Sequence, residues 1–331
     1  MKISIVGPYP PPYGGISNHI FRILPYLRDS QIDFSVFNQY EHEDLLANVS
    51  STKGSYIWWV KFLFTSKSGL VHFHQFSWLH FLYLFFFSLV HGDCFLISIH
   101  NEKLLNCPVW VRKAAVKLLK MTRCKSVIVV SRSVGSMLDQ CGVKNVRYLP
   151  AYVPPKTNFQ RRNNHTSTTV LFNIWKVQDQ DSIVKYGIDL LVDLAVSYPE
   201  IEFECFVAQS KNIALIETML TKKSANNCVL RIGENLVDHF HRADLFLRLN
   251  RDDAYGVSIQ EAMDCGVPAI ASDVCERPRG ALLFKNGCYE DLKQKFECAL
   301  AAKKEDLLKD KVDTHFHTEL IELYKVLLGK Q

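Results

Sequence analysis

Residues 243–268 run Ala243-Asp244-Leu245-Phe246-Leu247-Arg248, then Leu249-Asn250-Arg251-Asp252-Asp253-Ala254-Tyr255-Gly256-Val257-Ser258-Ile259-Gln260-Glu261, then Ala262-Met263-Asp264-Cys265-Gly266-Val267-Pro268. An apolar strand ends near Asn250. A polar loop follows, and a short helix starts near Ser258. Gly266 stands where a glycine stops a helix, and Pro268 opens the next strand. The amides of Gly256, Val257 and Ser258 have no intrahelical acceptor, so the helix start is a ready site for a diphosphate. Glu261 lies one turn in and Asp253 in the loop before it, so two carboxylates can reach hydroxyls on either side of that diphosphate. A plainer reading stands beside this one. Ser258-Ile259-Gln260-Glu261 also fits a capping box, in which Glu261 bonds its own helix, and Asp253 fits a turn residue.

Working outward, the same strand–helix alternation occupies both halves. Strand-like runs fall at Lys2–Val6, Ile32–Phe37, Leu70–Phe73, Cys94–Ile99, Ser126–Val130 and Val146–Leu149, with helices such as Ser17–Leu27 and Val109–Met121 between them. Further strands are expected at Thr169–Ile174, Ile201–Val207, Cys228–Ile232, Asp244–Leu249 and Val267–Ala271. Helices are expected at Tyr186–Ser197, Asn212–Lys222, Val237–Ala243, Ser258–Cys265 and Tyr289–Ala302, with a last amphipathic segment at Thr318–Leu328. Alternating β and α segments imply parallel sheets covered on both faces, with ligands beyond the carboxyl ends of the strands. Ala151–Ser167, with Pro154-Pro155 and Arg161-Arg162, has no apolar period and reads as a linker. The expected organisation is an α/β chain of two Rossmann-like doubly wound domains. Residues 1–155 form the first, 156–167 the linker and 168–312 the second; 313–331 form a C-terminal helix returning to the first domain. Two such domains would hold a ligand in a cleft between them.

Bulk properties narrow the class. A chain of 331 residues with 48% hydrophobic and 22% charged residues is an ordinary globular protein of two domains. The ten cysteines make no CxxC pair and read as reduced, buried small apolar side chains. The apolar run after Met1 is too short for a signal-peptide core. Phe76–Val90 is shorter than the ~20 residues of a spanning helix and reads as a buried helix. Residues 1–150 hold 16 Lys/Arg and 8 Asp/Glu, a net +8; against +5 for the whole chain, the remainder carries −3. That basic half suits an anionic surface, and acidic lipid fits it better than nucleic acid, for which no motif is present.

The 243–268 stretch resembles the second-domain signature of the retaining glycosyltransferases of family 4, which have the GT-B fold. That signature places two acidic residues eight apart, followed by Ala-Met and Gly-x-Pro. Asp253 takes the first acidic position, where Glu is usual, and Glu261 the second. A bacterial polysaccharide-type subgroup is similar in having an Arg after the strand, matched by Arg248, and an Arg-Pro-x-Gly, matched by Arg277-Pro278-Arg279-Gly280. The resemblance implies that Glu261 binds ribose hydroxyls, that Asp253 contacts the transferred sugar, that the Gly256–Ser258 amides hold the diphosphate with Tyr255 also among the donor-binding residues, and that backbone near Ile232 and Gly233 meets the base. It also implies that no metal or other cofactor is needed.

Other motifs divide between this reading and plainer ones. Pro10-Pro11-Pro12-Tyr13-Gly14-Gly15 follows the first strand. The glycine pair allows close approach of a ligand, and the family has a Gly-Gly loop here facing the donor; a plain turn is the alternative. Absence of GxGxxG argues against a nicotinamide dehydrogenase. His100 ends a strand where the family often has a histidine touching the donor sugar; a surface or capping histidine is the alternative. His72 and His74 are weaker candidates, read as alternating so that at most one faces the cleft, and no third ligand makes them a metal site. The family's usual Lys-Gly is here Tyr186-Gly187, so Lys176, Lys185 or Arg248 must supply the diphosphate's counter-charge. Asp179-Gln180-Asp181 matches the Asp-x-Asp metal motif only superficially. Arg112, Lys113, Lys117 and Lys120 share one helix face, which suits anionic headgroups or plain solvation. Tyr56, Trp58, Trp59, Phe62 and Phe64 are read as core that can also assist a membrane contact.

The expectation is therefore a transferase moving a sugar from a UDP- or GDP-sugar to a saccharide, lipid-linked on a carrier such as undecaprenyl diphosphate. It would act in O-antigen or capsule assembly, in the cytoplasm at the inner face of the cell membrane. A GT-B sugar-nucleotide epimerase and an inactive sugar-nucleotide-binding protein are the alternatives.

Overall fold

The computed structural model describes residues 2–11, 13–40, 47–52, 54–66, 69–75, 79–100, 102–155, 167–209 and 211–329. Contacts divide the chain into two units. One comprises Met1–Pro11, Gly15–Val153 and His315–Gln331, the other Pro12–Gly14 and Pro154–Thr314. Most of the linker expected over 156–167 lies outside the described residues.

The first unit runs β1 (Lys2–Gly7), α1 (Gly15–Asp29), β2 (Asp33–Asn38), β3 (Val49–Ser51), α2 (Tyr56–Thr65), β4 (Leu70–Gln75), α3 (Leu79–His91), β5 (Phe95–Ile99), α4 (Lys103–Asn106), α5 (Val109–Met121), β6 (Val127–Val129), α6 (Arg132–Gln140) and β7 (Val146–Tyr148). The second runs β8 (Thr169–Lys176), α7 (Gln180–Tyr186), α8 (Ile188–Ser197), β9 (Glu202–Gln209), α9 (Ala214–Lys223), β10 (Cys228–Ile232), a 3₁₀ helix (Leu236–Arg242), β11 (Leu245–Arg248), α10 (Val257–Asp264), β12 (Ala269–Ser272), β13 (Leu282–Phe284), α11 (Tyr289–Ala301) and α12 (Lys304–Leu308). The last helix, α13 (Phe316–Leu327), belongs to the first unit.

Each unit holds one parallel sheet, seven strands in the order β3-β2-β1-β4-β5-β6-β7 and six in the order β10-β9-β8-β11-β12-β13. The order reverses between β1 and β4 in one and between β8 and β11 in the other, which opens a crevice at the carboxyl ends of those strands. Both faces of each sheet are covered, so the strands are mainly apolar. Ile3 and Ile5 of β1 enter one core with α1 and α13, while Val6 enters the opposite core with α2, α3 and α5. In α1, Ile20, Ile23, Leu24 and Leu27 recur at helical spacing and are buried. The cores of the second unit lie likewise on its sheet's two faces.

Several expectations are corrected. Two short strands, β3 (Val-Ser-Ser) and β13 (Leu-Leu-Phe), are added to those expected from the sequence. The helix expected at Tyr186–Ser197 is α8, starting at Ile188; a separate helix, α7, ends at Tyr186, and the two are parted at Gly187, whose left-handed φ of 73° and close approach to Leu249 exclude a side chain. Only Cys205 and Cys228 among the ten free cysteines are buried, so most are not core. The apolar run at Phe76–Val90 forms α3 from Leu79, but it buries one face only and leaves Leu79, Leu82, Phe86, Leu89 and Val90 exposed; residues 76–78 lie outside the described set. Tyr56 and Phe64 are exposed rather than core. No helix of the described residues is long and apolar enough to cross a membrane.

His72 and His74 sit on the same face of β4, because side chains two apart in a strand point the same way; their rings lie 4.2 Å apart. That corrects the expectation that they alternate. His72 Nε2 meets Ser98 Oγ at 2.8 Å, and its Nδ1 meets the buried hydroxyl of Tyr324 on α13 at 2.5 Å. Burial, then the neighbouring His19 and His100, push the His72 pKa well below the usual imidazole value, so the ring is neutral. Tyr324→Phe would leave a buried ring nitrogen without its partner, at a cost of about 1–3 kcal/mol. Hydrogen exchange should show lost protection in β1, β4 and α13 and none in the second unit. Unchanged protection in all three would contradict this role for the hydroxyl.

Candidate functional site

In the second unit, β8 and β11 deliver polar side chains to the crevice where strand order reverses. Arg248, the last residue of β11, donates from Nη1 to Asn173 Oδ1 on β8 at 3.1 Å, and Ser258 Oγ of α10 meets the same oxygen at 3.3 Å. Asn173 thus ties two strands to the start of the helix. The rest of the Arg248 guanidinium grips Asp253 in a two-point fork, Nε to Oδ2 at 2.8 Å and Nη2 to Oδ1 at 2.9 Å. Arg277 Nη1 reaches Asp253 Oδ2 from the other side at 2.7 Å. Arg277 is itself held by Ser272, through the carbonyl at 2.8 Å and Oγ at 2.9 Å, and its side chain is 1% exposed.

The electrostatics follow from this packing. Burial pushes the Asp253 pKa up, but Arg248 and then Arg277 override it and bring it down to about 2. Burial also opposes the charge on Arg248, and Asp253 more than offsets that, so its pKa lies above the ordinary guanidinium value. The Asp253 carboxylate, expected to be open to a sugar hydroxyl, has a guanidinium on each oxygen.

The loop from Asn250 to Gly256 is stitched to the α7–α8 corner. Arg251 donates its amide to the Lys185 carbonyl at 2.8 Å and forks onto Asp189 at 2.8 and 2.7 Å. Lys185 Nζ pairs with Asp252 at 2.7 Å, and that hydrogen bond raises its pKa. Lys185 is therefore spent on the loop, and Tyr186 packs against the core beside it. Lys176, at the end of β8, has no ion-pair partner among the described residues.

α10 begins on Gly256, whose φ of 77° is left-handed, and a Cβ there would press on Arg277 and Ile259. The helix starts at Val257, one residue before the expected Ser258, so Ser258 is not its cap and no side chain caps it. Glu261 stands five residues into the helix rather than three, which removes the capping box; it is 4% exposed. Ile232 ends β10 half exposed, followed by Gly233 in a left-handed turn. Asp179 is the cap of α7, accepting from the Ser182 amide at 2.9 Å and hydroxyl at 2.7 Å, which gives the first Asp of Asp179-Gln180-Asp181 a structural role. Gly14 groups with this unit, where a Cβ on it would meet the Trp175 ring.

In the first unit, Gly15 opens α1 and His100 follows β5. His100 Nε2 lies 2.7 Å from His74 Nδ1, and the rings stack 4.9 Å apart. His19 Nδ1 donates to the Ala151 carbonyl at 2.8 Å, so its Nε2 is the bare nitrogen; the ring is 5.8 Å from that of His100. Burial, then His19, push the His100 pKa well down; burial, then its histidine neighbours, do the same for His74. No group of three or more metal-ligating side chains is suitably placed among the described residues. Sequence reasoning missed His19, Asn173 and the role of Arg277. The Arg277-Pro278-Arg279-Gly280 motif was the available signal for the last, and nothing local marked the other two.

With this geometry in view, the comparisons fall into place. Residues 202–322, mostly within the second unit, match the family model described as glycosyl transferases group 1. No curated protein matches the chain by sequence. Among solved structures, Anabaena HepE in complex with UDP-glucose is similar over 98% of this chain and 99% of its own, with a TM-score of 0.75 at 14% identity. Sucrose-phosphate synthase from Thermosynechococcus elongatus covers 99% of each chain with a TM-score of 0.73 at 14% identity. WaaG, a glycosyltransferase involved in lipopolysaccharide biosynthesis, has a TM-score of 0.64 at 14% identity over 99% of this chain and 100% of its own. The fold is GT-B.

The clamp makes a stability prediction. The folded pKa of Asp253, about 2, lies below its unfolded value, so its contribution is complete above about pH 4 and is lost as pH falls through 2. Asp253→Asn strands two guanidinium groups and should cost about 3 kcal/mol at neutral pH. The gap between variant and wild type should close on acidification, read as urea midpoints from pH 7 to pH 2. A gap that stays constant would show that Asp253 is not the anion of the clamp.

Proposed function

We propose that this chain is a metal-independent, retaining glycosyltransferase. It moves a hexose from a UDP- or GDP-sugar to a saccharide carried on a lipid such as undecaprenyl diphosphate, during O-antigen or capsule assembly at the cytoplasmic face of the cell membrane. The observation that carries this reading is the uncapped start of α10 on a left-handed glycine, set beside Arg248, Ser258 and Glu261 within a glycosyl transferases group 1 domain.

Charge arithmetic supports a diphosphate here. Two guanidinium groups less one carboxylate leave the clamp at +1. The Lys185–Asp252 and Arg251–Asp189 pairs sum to zero, and Lys176 and Glu261 add one formal charge of each sign, so the site stays at +1. The amides of Val257 and Ser258 then receive the phosphate oxygens, with Lys176 and the residual charge at Arg248 stabilising the leaving group. Glu261 binds the ribose, Tyr255 and the Ile232–Gly233 backbone the rest of the nucleoside, and Gly14 the sugar side.

The bond from the anomeric carbon to the diphosphate breaks, and one to the acceptor oxygen forms on the same face of the sugar. The acceptor proton passes to an oxygen of the departing diphosphate. Asp253, with a pKa of about 2 and both oxygens occupied, is too weak a base to take it near neutrality. Its part is to hold Arg248 and the loop.

The test is release of nucleoside diphosphate from a panel of UDP-, GDP- and ADP-sugars, with and without EDTA, for wild type and Glu261→Ala. One donor should be turned over slowly, unaffected by EDTA, and the variant should lose donor binding while keeping its melting temperature. Lys176→Ala should lower kcat at least about tenfold, the factor for 1.4 kcal/mol of lost transition-state stabilisation, with stability unchanged. Turnover at normal donor KM in Glu261→Ala would overturn the site. A free sugar epimer as product would move the chain to the epimerases.

A further inference from the structure

The outward faces of α2 and α3 invert the usual pattern of a surface helix. On α2, Tyr56, Ile57, Val60 and Phe64 fall on one side at helical spacing, and Tyr56, Ile57 and Phe64 are 87%, 80% and 68% exposed. On α3, Leu79, Leu82, Phe86 and Leu89 form a second exposed stripe. A soluble face at these spacings is polar. α3 packs against both α2 and α5, so the two stripes adjoin the helix that carries Trp110, 69% exposed. At about 150–250 Å² for a fully exposed large aromatic, these fractions amount to a patch on the order of 1,000 Å². Monomers ordinarily show a few hundred.

The charges on these helices are of one sign. None of the three helices contains an aspartate or glutamate, while Lys61 on α2 and Arg112, Lys113, Lys117 and Lys120 on α5 are basic. Lys113 and Lys117 meet no acidic partner among the described residues. A two-fold contact between copies would set these like charges against one another. An anionic bilayer answers every feature together: exposed aliphatic and aromatic side chains for the acyl boundary, Tyr and Trp for the headgroup level, lysines for the lipid phosphates, and helices too short to span.

We propose that α2 and α3 insert their exposed apolar stripes into the interface of an anionic membrane, with the lysines of α5 on its headgroups, so that the first unit is the membrane-docking unit. This deepens the reading above and rests on it for the choice of a bilayer.

The experiment is flotation of the full chain with vesicles of phosphatidylcholine alone and of phosphatidylcholine with phosphatidylglycerol in equal parts. Wild type should float with the mixed vesicles. Ile57→Ser with Phe64→Ser should weaken that binding more than tenfold. Lys113→Gln with Lys117→Gln should weaken it about 30-fold, at about 1 kcal/mol for each lysine, and leave the weak binding to pure phosphatidylcholine unchanged. Brominated lipid should quench the tryptophan fluorescence of the wild type, a measure that does not depend on the variants folding. No flotation with mixed vesicles, or flotation indifferent to the α2 substitutions, would overturn the proposal. So would a dimer that those substitutions dissolve in a chain that ignores vesicles. Donor turnover is read separately: vesicle binding with no turnover of any donor removes the transferase reading alone, and turnover without vesicle binding removes this one.

Discussion

The carboxylate of Asp253 between the guanidinium groups of Arg248 and Arg277 is the constraint on which the second unit's site depends. It joins the end of β11, the loop before α10 and the segment after β12. With Asn173 bridging Arg248 to Ser258, and Gly256 accepting a backbone conformation closed to other residues, it fixes where α10 starts. A helix start is useful to an anionic ligand only if its amides are held in place and left uncapped. The clamp supplies the first condition and Gly256 the second.

The clamp also alters what the signature's acidic pair can do. Oδ2 of Asp253 accepts from both arginines and Oδ1 from Arg248 alone, so the carboxylate is held in place by the clamp. The shorter Asp in place of Glu keeps its carboxylate close to the loop backbone, within reach of both arginines. What remains for a ligand is cationic and amide-rich: Lys176, the unneutralised part of the clamp and the first turn of α10. The first unit differs: His19, His72, His74 and His100 gather as four neutral imidazoles, in which His74 stacks on His100 and shares a hydrogen bond with it.

Much of this was legible in the sequence because the information was local. Runs of apolar residues bounded by Gly and Pro gave eleven of the thirteen strands, and the 243–268 stretch gave its strand, loop and helix in order. β3 and β13 were not legible: they are edge strands, each set by pairing with a single neighbour, β2 and β12. The break at Gly187 was hidden because a left-handed glycine looks the same in sequence as one inside a helix. The one-residue error at the start of α10 turned Ser258 into a cap it is not, and boundaries of that kind depend on the conformation of Gly256. Burial was the least legible property. Periodicity marks a helix such as α3, but whether its second apolar face meets protein or solvent depends on what packs there. The roles of Asn173, Arg277 and His19 come from contacts across tens of residues, which spacing does not encode.

The most direct test of the account is a crystal structure of the chain with whichever of UDP, GDP or ADP most raises its melting temperature. The account predicts phosphate oxygens about 3 Å from the Val257 and Ser258 amides, the ordinary hydrogen-bond distance, with Glu261 on the ribose and Asp253 still forked onto Arg248. A nucleotide bound elsewhere, or an Asp253 that has left both arginines to reach the ligand, would contradict it.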